Sequence, residues 1–134
     1  MNPNKKVKII QKELSYKIIG VLFSVHNQLG NRYQEKYYQR AVDEALKENN
    51  LKFQKELAVD LKFNNKKIGK YVLDFLIEDA IILEIKTIPS FRPKDFKQVL
   101  AYLVANNIEL GILANFRTDR LTYKRVLNSK YHSD

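Results

Sequence analysis

The sequence contains no cysteine. Disulfide bonds, thiolate metal sites and cysteine nucleophiles are therefore excluded, and the chain fits the reducing environment of the cytoplasm, where we expect it to be located. Histidine is scarce as well, because only His26 and His132 are present. Neither has a second histidine at the spacing of a metal site, so we expect each to be structural or exposed rather than a ligand.

Glycine is limited to four residues, at positions 20, 30, 69 and 111. They are scattered along the chain, and no glycine-rich loop of the kind that surrounds nucleotide phosphates is present. A nucleotide-binding accessory factor is therefore disfavoured.

Long hydrophobic runs are also missing. The longest uncharged stretch, from Ile18 to Asn31, includes several polar residues and is shorter than the ~20 apolar residues of a membrane span. No short apolar block followed by a small-residue cleavage site is found, so we expect neither a signal peptide nor a membrane segment.

Acidic residues are outnumbered by basic ones. Lys and Arg total 24 and Asp and Glu total 15, which gives a net charge of +9. This charge favours a polyanionic partner, with nucleic acid ahead of an anionic membrane surface, although it can also serve solubility alone. We expect nucleic acid as the partner and no membrane. Whether the chain forms a homodimer stays open.

The length of 134 residues and the hydrophobic content of 45% fit a single domain over residues 1–134, with a disordered tail at 1–8. Apolar residues at steps of three and four predict helices, and alternating or continuous apolar runs predict strands. Asp95 is expected to cap a helix. The predicted elements, in the order ααβββαβ(β), are helices at 12–29, 33–49 and 94–106 and strands at 53–63, 68–77, 80–87, 110–116 and, at the edge, 121–127.

The helix at 94–106 lies between two consecutive buried strands. Such a helix implies a right-handed crossover that joins parallel neighbours, whereas the preceding strands follow short turns. The sequence therefore predicts an α/β fold with a mixed sheet of four to five strands flanked by helices.

Three charged side chains interrupt two of the apolar strands. Asp74 lies within the run from Tyr71 to Ile77, and Glu84 and Lys86 follow in the next strand. A buried charge without a partner is costly, so these groups need one another or a bound ion. Residues two apart in a strand point to the same face, so Glu84 and Lys86 project together. If the strand before is an antiparallel neighbour, Asp74 lies beside them.

Two carboxylates, the intervening carbonyl of Ile85 and a lysine suit metal-dependent phosphodiester hydrolysis. Carboxylate and carbonyl oxygens bind Mg²⁺ or Mn²⁺, and a lysine can stabilise the attacking hydroxide or the charged transition state. We predict Asp74, Glu84 and Ile85 as metal ligands and Lys86 as a catalytic residue. The alternative is an internal ion pair between Lys86 and an acid, and the short spacing alone does not separate the two.

Several short motifs occur together in one order. They are Leu29-Gly30, Glu35 to Tyr38, Asp74, Glu84 to Lys86, Gln98 to Tyr102 and Leu110 to Phe116. In this order they resemble the PD-(D/E)xK nuclease superfamily, and more specifically the GxxExxY family of small proteins, over residues 12 to 128. Glu35 and Tyr38 match the acid and the tyrosine of the name motif. Arg32 stands at its glycine position, and the nearest glycine is Gly30.

The resemblance implies a restriction-endonuclease-like (PD-(D/E)xK) core and a metal-dependent nuclease with Mg²⁺ or Mn²⁺ as cofactor. It adds Glu35, supported by Tyr38, as an acid of the metal site or a water-positioning group. Gln98 would complete the site, and Tyr102, four residues later on the same helix face, would contact nucleic acid. Without the resemblance, Tyr102 would be interpreted as a core aromatic residue.

Basic residues that we expect to contact phosphates lie near a hairpin turn and in two later loops, although a solvated surface is the simpler interpretation of any one of them. They are Lys66, Lys67, Arg92, Lys94 and Arg117. A non-catalytic nucleic-acid-binding or protein-interaction module on the same scaffold is the alternative to a nuclease.

Overall fold

The computed structural model describes residues 11–129. The tail predicted at residues 1–8 and His132 lie outside this range. No helix within it is long and apolar enough to cross a membrane. The predicted order of elements is confirmed, with boundaries that shift by at most two residues. The elements are α1 (Lys12–Leu29), α2 (Glu35–Glu48), β1 (Phe53–Phe63), β2 (Lys66–Ile77), β3 (Ile81–Lys86), α3 (Pro93–Asn106), β4 (Leu110–Asn115) and β5 (Thr122–Leu127).

The five strands of the described residues form one sheet in the order β1-β2-β3-β4-β5. β3 and β4 are parallel, and the other neighbouring pairs are antiparallel. α3 connects the two parallel strands, because strands that run in the same direction need a crossover rather than a tight turn. The mixed α/β sheet predicted from the sequence is confirmed.

Helices cover both faces of the sheet. α1 and α2 pack on one face around residues such as Leu22 and Leu83, and α3 packs on the other around Val99 and Leu113. The contact of α3 is close, since a Cβ atom on Gly111 would lie 2.5 Å from Cγ1 of Val99. Burial of each large aliphatic side chain contributes about 1.5–3 kcal/mol relative to exposure. Burial of β3 and β4 therefore fixes the positions of the polar groups at the ends of these strands.

The connection between α1 and α2 is closed by a hydrogen bond. Gly30, with φ of 72°, ends α1, and its carbonyl accepts a hydrogen bond of 2.5 Å from the hydroxyl of Tyr38. The Tyr38 ring is fully buried and stacks on Phe116, with 4.6 Å between the ring centroids. The hydroxyl of Tyr38 thus binds the turn that precedes Glu35, and among the described residues it forms no hydrogen bond with Glu35 itself.

β1 and β2 extend beyond the rest of the sheet. Only Phe75–Ile77 of β2 pairs with β3, and the remainder pairs with β1 alone. Phe75 packs toward α1 and α2, whereas Leu73, two residues away, packs toward α3, so the alternation breaks at Asp74. Opposite it, Glu56 has φ of 57°, a left-handed conformation that costs about 1–2 kcal/mol for a residue with a side chain. The part beyond this break, residues 57–72, is called the outer hairpin below.

Candidate active site

Asp74 occupies the space between β2 and β3 where their pairing ends. The N–H of Ile85 donates to Oδ2 of Asp74 at 2.7 Å, and the N–H of Asp74 donates to Oε1 of Glu84 at 3.0 Å. Side-chain oxygens thus replace the carbonyls that a continued ladder would supply. We call this space the β2–β3 gap. It brings the carboxylates of Asp74 and Glu84 together.

The carbonyl of Ile85 faces the same gap. The carbonyl of Lys86, the next residue, accepts a hydrogen bond from the N–H of Phe116 on the side of β4. Successive residues of a strand direct their backbone polar groups to opposite sides, so those of Ile85 point toward β2. A carbonyl oxygen therefore accompanies the two carboxylates.

The helix α2 brings Glu35 to the gap from the face covered by α1 and α2. The N–H of Thr87, just after β3, donates to Oε1 of Glu35 at 3.2 Å. The amide nitrogen of Gln39 donates to Oδ1 of Asp74 at 2.8 Å and lies 3.5 Å from Oε2 of Glu35. Gln39 therefore links the two acids, although they are far apart in sequence.

Lys86 reaches the gap from the opposite face, where α3 begins. Its ammonium nitrogen lies 3.6 Å from Oε2 of Glu84 and 3.8 Å from Oδ1 of Asp95, and 16% of its side chain is exposed. Asp95 caps α3 as predicted, since it accepts a hydrogen bond of 2.8 Å from the N–H of Arg92, and it also pairs with the guanidinium. Arg92 and the exposed Lys94 therefore lie at the edge of the site on this side.

Burial and like charge raise the pKa values of the acids in the gap. Burial raises the pKa of Glu84 to about 9, and the charge of Asp74 adds to this effect. Burial also raises the pKa of Asp74, against the action of its hydrogen bonds and of Lys86. The pKa of Glu35 is raised by burial first and by the charge of Asp74 second. A cation beside these acids would reverse such shifts, because it favours their ionised forms.

The donor set fits a hard divalent cation such as Mg²⁺ or Mn²⁺. Asp74, Glu84 and Ile85 offer carboxylate and carbonyl oxygens, and a carboxylate oxygen that accepts one hydrogen bond keeps a second lone pair. Within residues 11–129, no three Asp, Glu, His or Cys side chains lie together closely enough to hold a metal. Mg²⁺ needs only one or two carboxylates because it keeps several waters. A metal held by Asp74 and Glu84 would therefore not require Glu35 as a further ligand.

Gln98 and Tyr102 lie on α3, outside the hydrogen bonds of the gap. The carbonyl of Gln98 accepts a hydrogen bond of 2.9 Å from the hydroxyl of Tyr71, while its amide forms no hydrogen bond with the part of the chain that the structure describes. Tyr102 is half-buried in the cluster beneath α3, and burial raises its pKa. The structure thus places Gln98 one turn after Asp95, with a free amide, and packs Tyr102 as a core aromatic residue would pack.

The other basic residues named from the sequence form no hydrogen bond or ion pair with Asp74, Glu84 or Lys86 among the described residues. Lys66 and Lys67 are at the tip of the outer hairpin, where the ammonium of Lys67 lies 3.3 Å from Oδ1 of Asp60. Arg117 follows β4 and is exposed, and its carbonyl accepts a hydrogen bond from Asn31. The N–H of Arg117 also donates to Oδ1 of Asn115 at 3.1 Å.

Sequence patterns did not identify three polar residues that organise the site. Gln39 could have been found from its spacing of four after Glu35, which places both on one helix face. Asp95 was expected only as a cap. Asn115, at the end of the apolar strand β4, binds the backbone of Ile88 through both ends of its amide, at 3.1 and 2.8 Å. It thereby fixes the loop whose Thr87 N–H holds Glu35.

Residues 12–126 match the family model described as the PD-(D/E)XK nuclease superfamily. No curated protein matches the sequence. Among solved structures, the protein SSO0001 is similar with a TM-score of 0.53 and 22% identity, over 92% of this chain and 61% of that one. An alkaline exonuclease (LHK-Exo) from Laribacter hongkongensis gives a TM-score of 0.49 and 13% identity, over 72% of this chain and 56% of that one. The chain thus spans less than two thirds of either structure.

Proposed function

The chain belongs to the PD-(D/E)XK nuclease superfamily, and from this premise we propose that it is a metal-dependent nuclease that hydrolyses phosphodiester bonds of nucleic acid, DNA in preference to RNA. The observation that carries the proposal is the meeting of Asp74, Glu84 and Lys86 at the β2–β3 gap. Membership of the GxxExxY family within the superfamily is part of the same proposal.

Asp74, Glu84 and the carbonyl of Ile85 are the proposed ligands of Mg²⁺ or Mn²⁺. When bound, such a cation neutralises phosphate charge and lowers the pKa of water. One oxygen of each carboxylate accepts a hydrogen bond from the backbone of β2 or β3, and the amide of Gln39 binds the other oxygen of Asp74. These hydrogen bonds keep the oxygens in place before the substrate arrives.

Lys86 and Glu35 approach the gap from opposite faces of the sheet and have different proposed roles. The charge of Lys86, held between Glu84 and Asp95, would stabilise the negative charge that develops on the phosphate. Glu35, whose pKa is raised by burial, would orient the attacking water and accept its proton. The free amide of Gln98 would contact the substrate on the side of α3.

A non-catalytic nucleic-acid-binding module is the second candidate, because one observation favours it. Lys86 lies within 4 Å of two carboxylates, which is the internal ion pair that the simpler interpretation of the ExK motif predicts. In that case the ion pairs of Lys86 would stabilise the folded chain, and nucleic acid would bind to exposed basic side chains without being cut.

A cleavage assay with single-stranded, duplex and branched DNA and RNA separates the two candidates. We expect cleavage with Mg²⁺ or Mn²⁺ and none with EDTA. Removal of one preorganised group that stabilises transition-state charge costs about 10²–10³-fold in rate, so Asp74→Asn, Glu84→Gln and Lys86→Ala should each lose at least about this much. Asp60→Asn, which changes an exposed acid of the outer hairpin, is the control and should cut like wild type. Equal cleavage by all variants, or binding without cleavage by wild type, would reject the catalytic assignment.

A further inference from the structure

The exposed side of α2 carries two cations next to the gap. Because a helix turns about 100° per residue, Lys36 and Arg40 form the row beside Glu35 and Gln39 on the helix surface. Lys36, Gln39 and Arg40 line one side of a cleft of about 280 Å³, and Asp74 lines the other side. The cleft therefore leads from Asp74, one of the candidate metal ligands, to these two cations. Two further acids line it, Asp43, which pairs with Lys55, and Glu56.

An exposed tyrosine lies beside the same cations. The ammonium of Lys36 lies 5.2 Å from the centre of the Tyr37 ring, and the guanidinium carbon of Arg40 lies 5.6 Å from it. Tyr37 is 43% exposed, and Tyr33, 45% exposed, meets it edge to face at 6.4 Å. Within residues 11–129, neither Lys36 nor Arg40 forms an ion pair with an acid. Two cations without counter-ions thus flank an aromatic ring that is open to solvent.

We propose that Tyr37, Lys36 and Arg40 form a nucleotide-binding subsite for a single-stranded segment of the substrate. This inference rests on the proposed function only in taking nucleic acid as the ligand. A base would stack on the ring of Tyr37, and the flanking phosphates would bind Lys36 and Arg40, whose long exposed side chains can turn from the ring to an anion. Stacking on an aromatic ring combined with backbone-binding cations is how proteins hold single strands without sequence preference.

The chemistry favours a single strand over a duplex. The bases of a duplex are stacked on one another and present only their edges, so the face of an exposed ring has no partner in it. An unpaired base offers its face. A single nucleic-acid strand that extends from the β2–β3 gap along the cleft would pass the two cations first and reach Tyr37 next. This is the order of these residues around α2.

The absence of tryptophan from the chain allows a direct test, because Tyr37→Trp introduces the only indole. Tyr16 gives a matched control, since it is 62% exposed on α1 and has the ammonium of Lys12 at 5.9 Å from its ring. Each variant is titrated with a 12-nucleotide oligothymidine in EDTA. We expect quenching of the indole emission for Tyr37→Trp and none for Tyr16→Trp. Equal behaviour of the two variants would overturn the proposal.

Affinity measurements in EDTA complete the test. Stacking of a base is worth about 1–3 kcal/mol, which is about 5- to 150-fold in affinity, so Tyr37→Ala should bind the oligonucleotide at least about fivefold more weakly. Tyr37→Phe should bind like wild type because the ring remains, and Tyr16→Ala should be unchanged. The Lys36→Ala/Arg40→Ala variant should lose about 1.4 from the log–log salt slope, because each single-strand phosphate contributes about 0.7.

The binding measurements test the subsite whether or not the chain cleaves nucleic acid. If wild type does not cut but Tyr37→Ala binds single strands more weakly than Tyr16→Ala, the subsite is supported and the nuclease activity is rejected. If wild type cuts but the two alanine variants bind equally well, the subsite is rejected and the nuclease remains. A loss of duplex affinity as large as the loss for single strands, or binding of a protein at this surface in place of the oligonucleotide, would also reject it.

Discussion

The two halves of β2 have opposite character although they form one strand. The inner half, Phe75–Ile77, is buried and pairs with β1 on one side and β3 on the other. The outer half pairs with β1 alone and exposes apolar side chains such as Val72 and Ile68, the latter to 69%. Asp74 separates them. The candidate site therefore belongs to neither half but to the point where the strand leaves the sheet.

This position explains how groups from both faces of the sheet can meet. A continuous pair of strands keeps the two faces apart, because its backbone hydrogen bonds fill the space between them. Where β2 turns away, the N–H of Ile85 has lost its partner strand and binds Asp74 instead. Gln39 then reaches Asp74 from the α2 face, while Lys86 approaches on the α3 face. The break in the ladder is thus what assembles the site.

The two halves of β2 should differ most in how much their side chains contribute to the free energy of unfolding. An isoleucine-to-alanine substitution in each half measures this difference. Ile77→Ala removes a fully buried side chain, and such a change costs about 2–5 kcal/mol. Ile68→Ala removes an exposed one and should cost no more than about 1 kcal/mol, the range of strand propensity. Urea unfolding of both variants gives the two values. Equal losses of unfolding free energy in the two variants would contradict this expectation, because they would mean that Ile68 is buried in solution.

The sequence predicted the inner half well and the break poorly. Apolar periodicity depends on burial, so the strands and helices of the core were found within two residues, and the spacing of Asp74, Glu84 and Lys86 indicated their meeting. The left-handed conformation of Glu56 has no sequence signal, because glycine or asparagine is the usual residue there. The break it accompanies could not be predicted.

The partners of the site residues were missed for a related reason. Gln39 and Asp95 have ordinary local interpretations, as a polar residue on a helix surface and as a helix cap. Their contacts with Asp74 and Lys86 depend on how α2 and α3 lie against the sheet. Glu35 was named only through a family resemblance, because nothing in the spacing of 35 and 74 indicates that a helix start would reach the end of β3.

Substitution of Glu84, at the break between β2 and β3, should have the next largest effect on stability. The size of this effect should depend on pH. The pKa of Glu84 is about 9 in the folded chain against 4.5 as the ordinary value, so the folded state binds this proton more tightly. Stability from this group is complete below pH 4.5 and is lost as the pH rises toward 9. The unfolding free energy of wild type in EDTA, minus that of Glu84→Gln, should fall by on the order of 4 kcal/mol between pH 5 and pH 8, because each pH unit between the two pKa values contributes about 1.4 kcal/mol.

The matched control lies in the outer half. Asp60→Asn removes an exposed acid that pairs with Lys67, and an exposed pair contributes about 0–1 kcal/mol. Its difference from wild type should change little over the same pH range, and Mg²⁺ at pH 8 should stabilise wild type more than Glu84→Gln. A pH-independent difference for Glu84→Gln would show that the carboxylate is not held in a protonated state at the gap.

The smallest effect concerns what the outer half contributes to binding rather than to folding. If its tip contacts a duplex, Lys66→Ala/Lys67→Ala should reduce the log–log salt slope by up to about 1.8, because each neutralised duplex phosphate contributes about 0.9. Lys67 must first exchange Asp60 for a phosphate, so Lys66→Ala alone should account for more than half of the change. Anisotropy of a labelled duplex in EDTA at several salt concentrations gives the slope, with Lys12→Ala/Lys17→Ala on α1 as the control of equal charge. Unfolding free energy should change by less than about 0.5 kcal/mol in both double variants.

Equal salt slopes for the two double variants would mean that duplex binding depends on net charge alone, and the outer hairpin would then have no specific part in it.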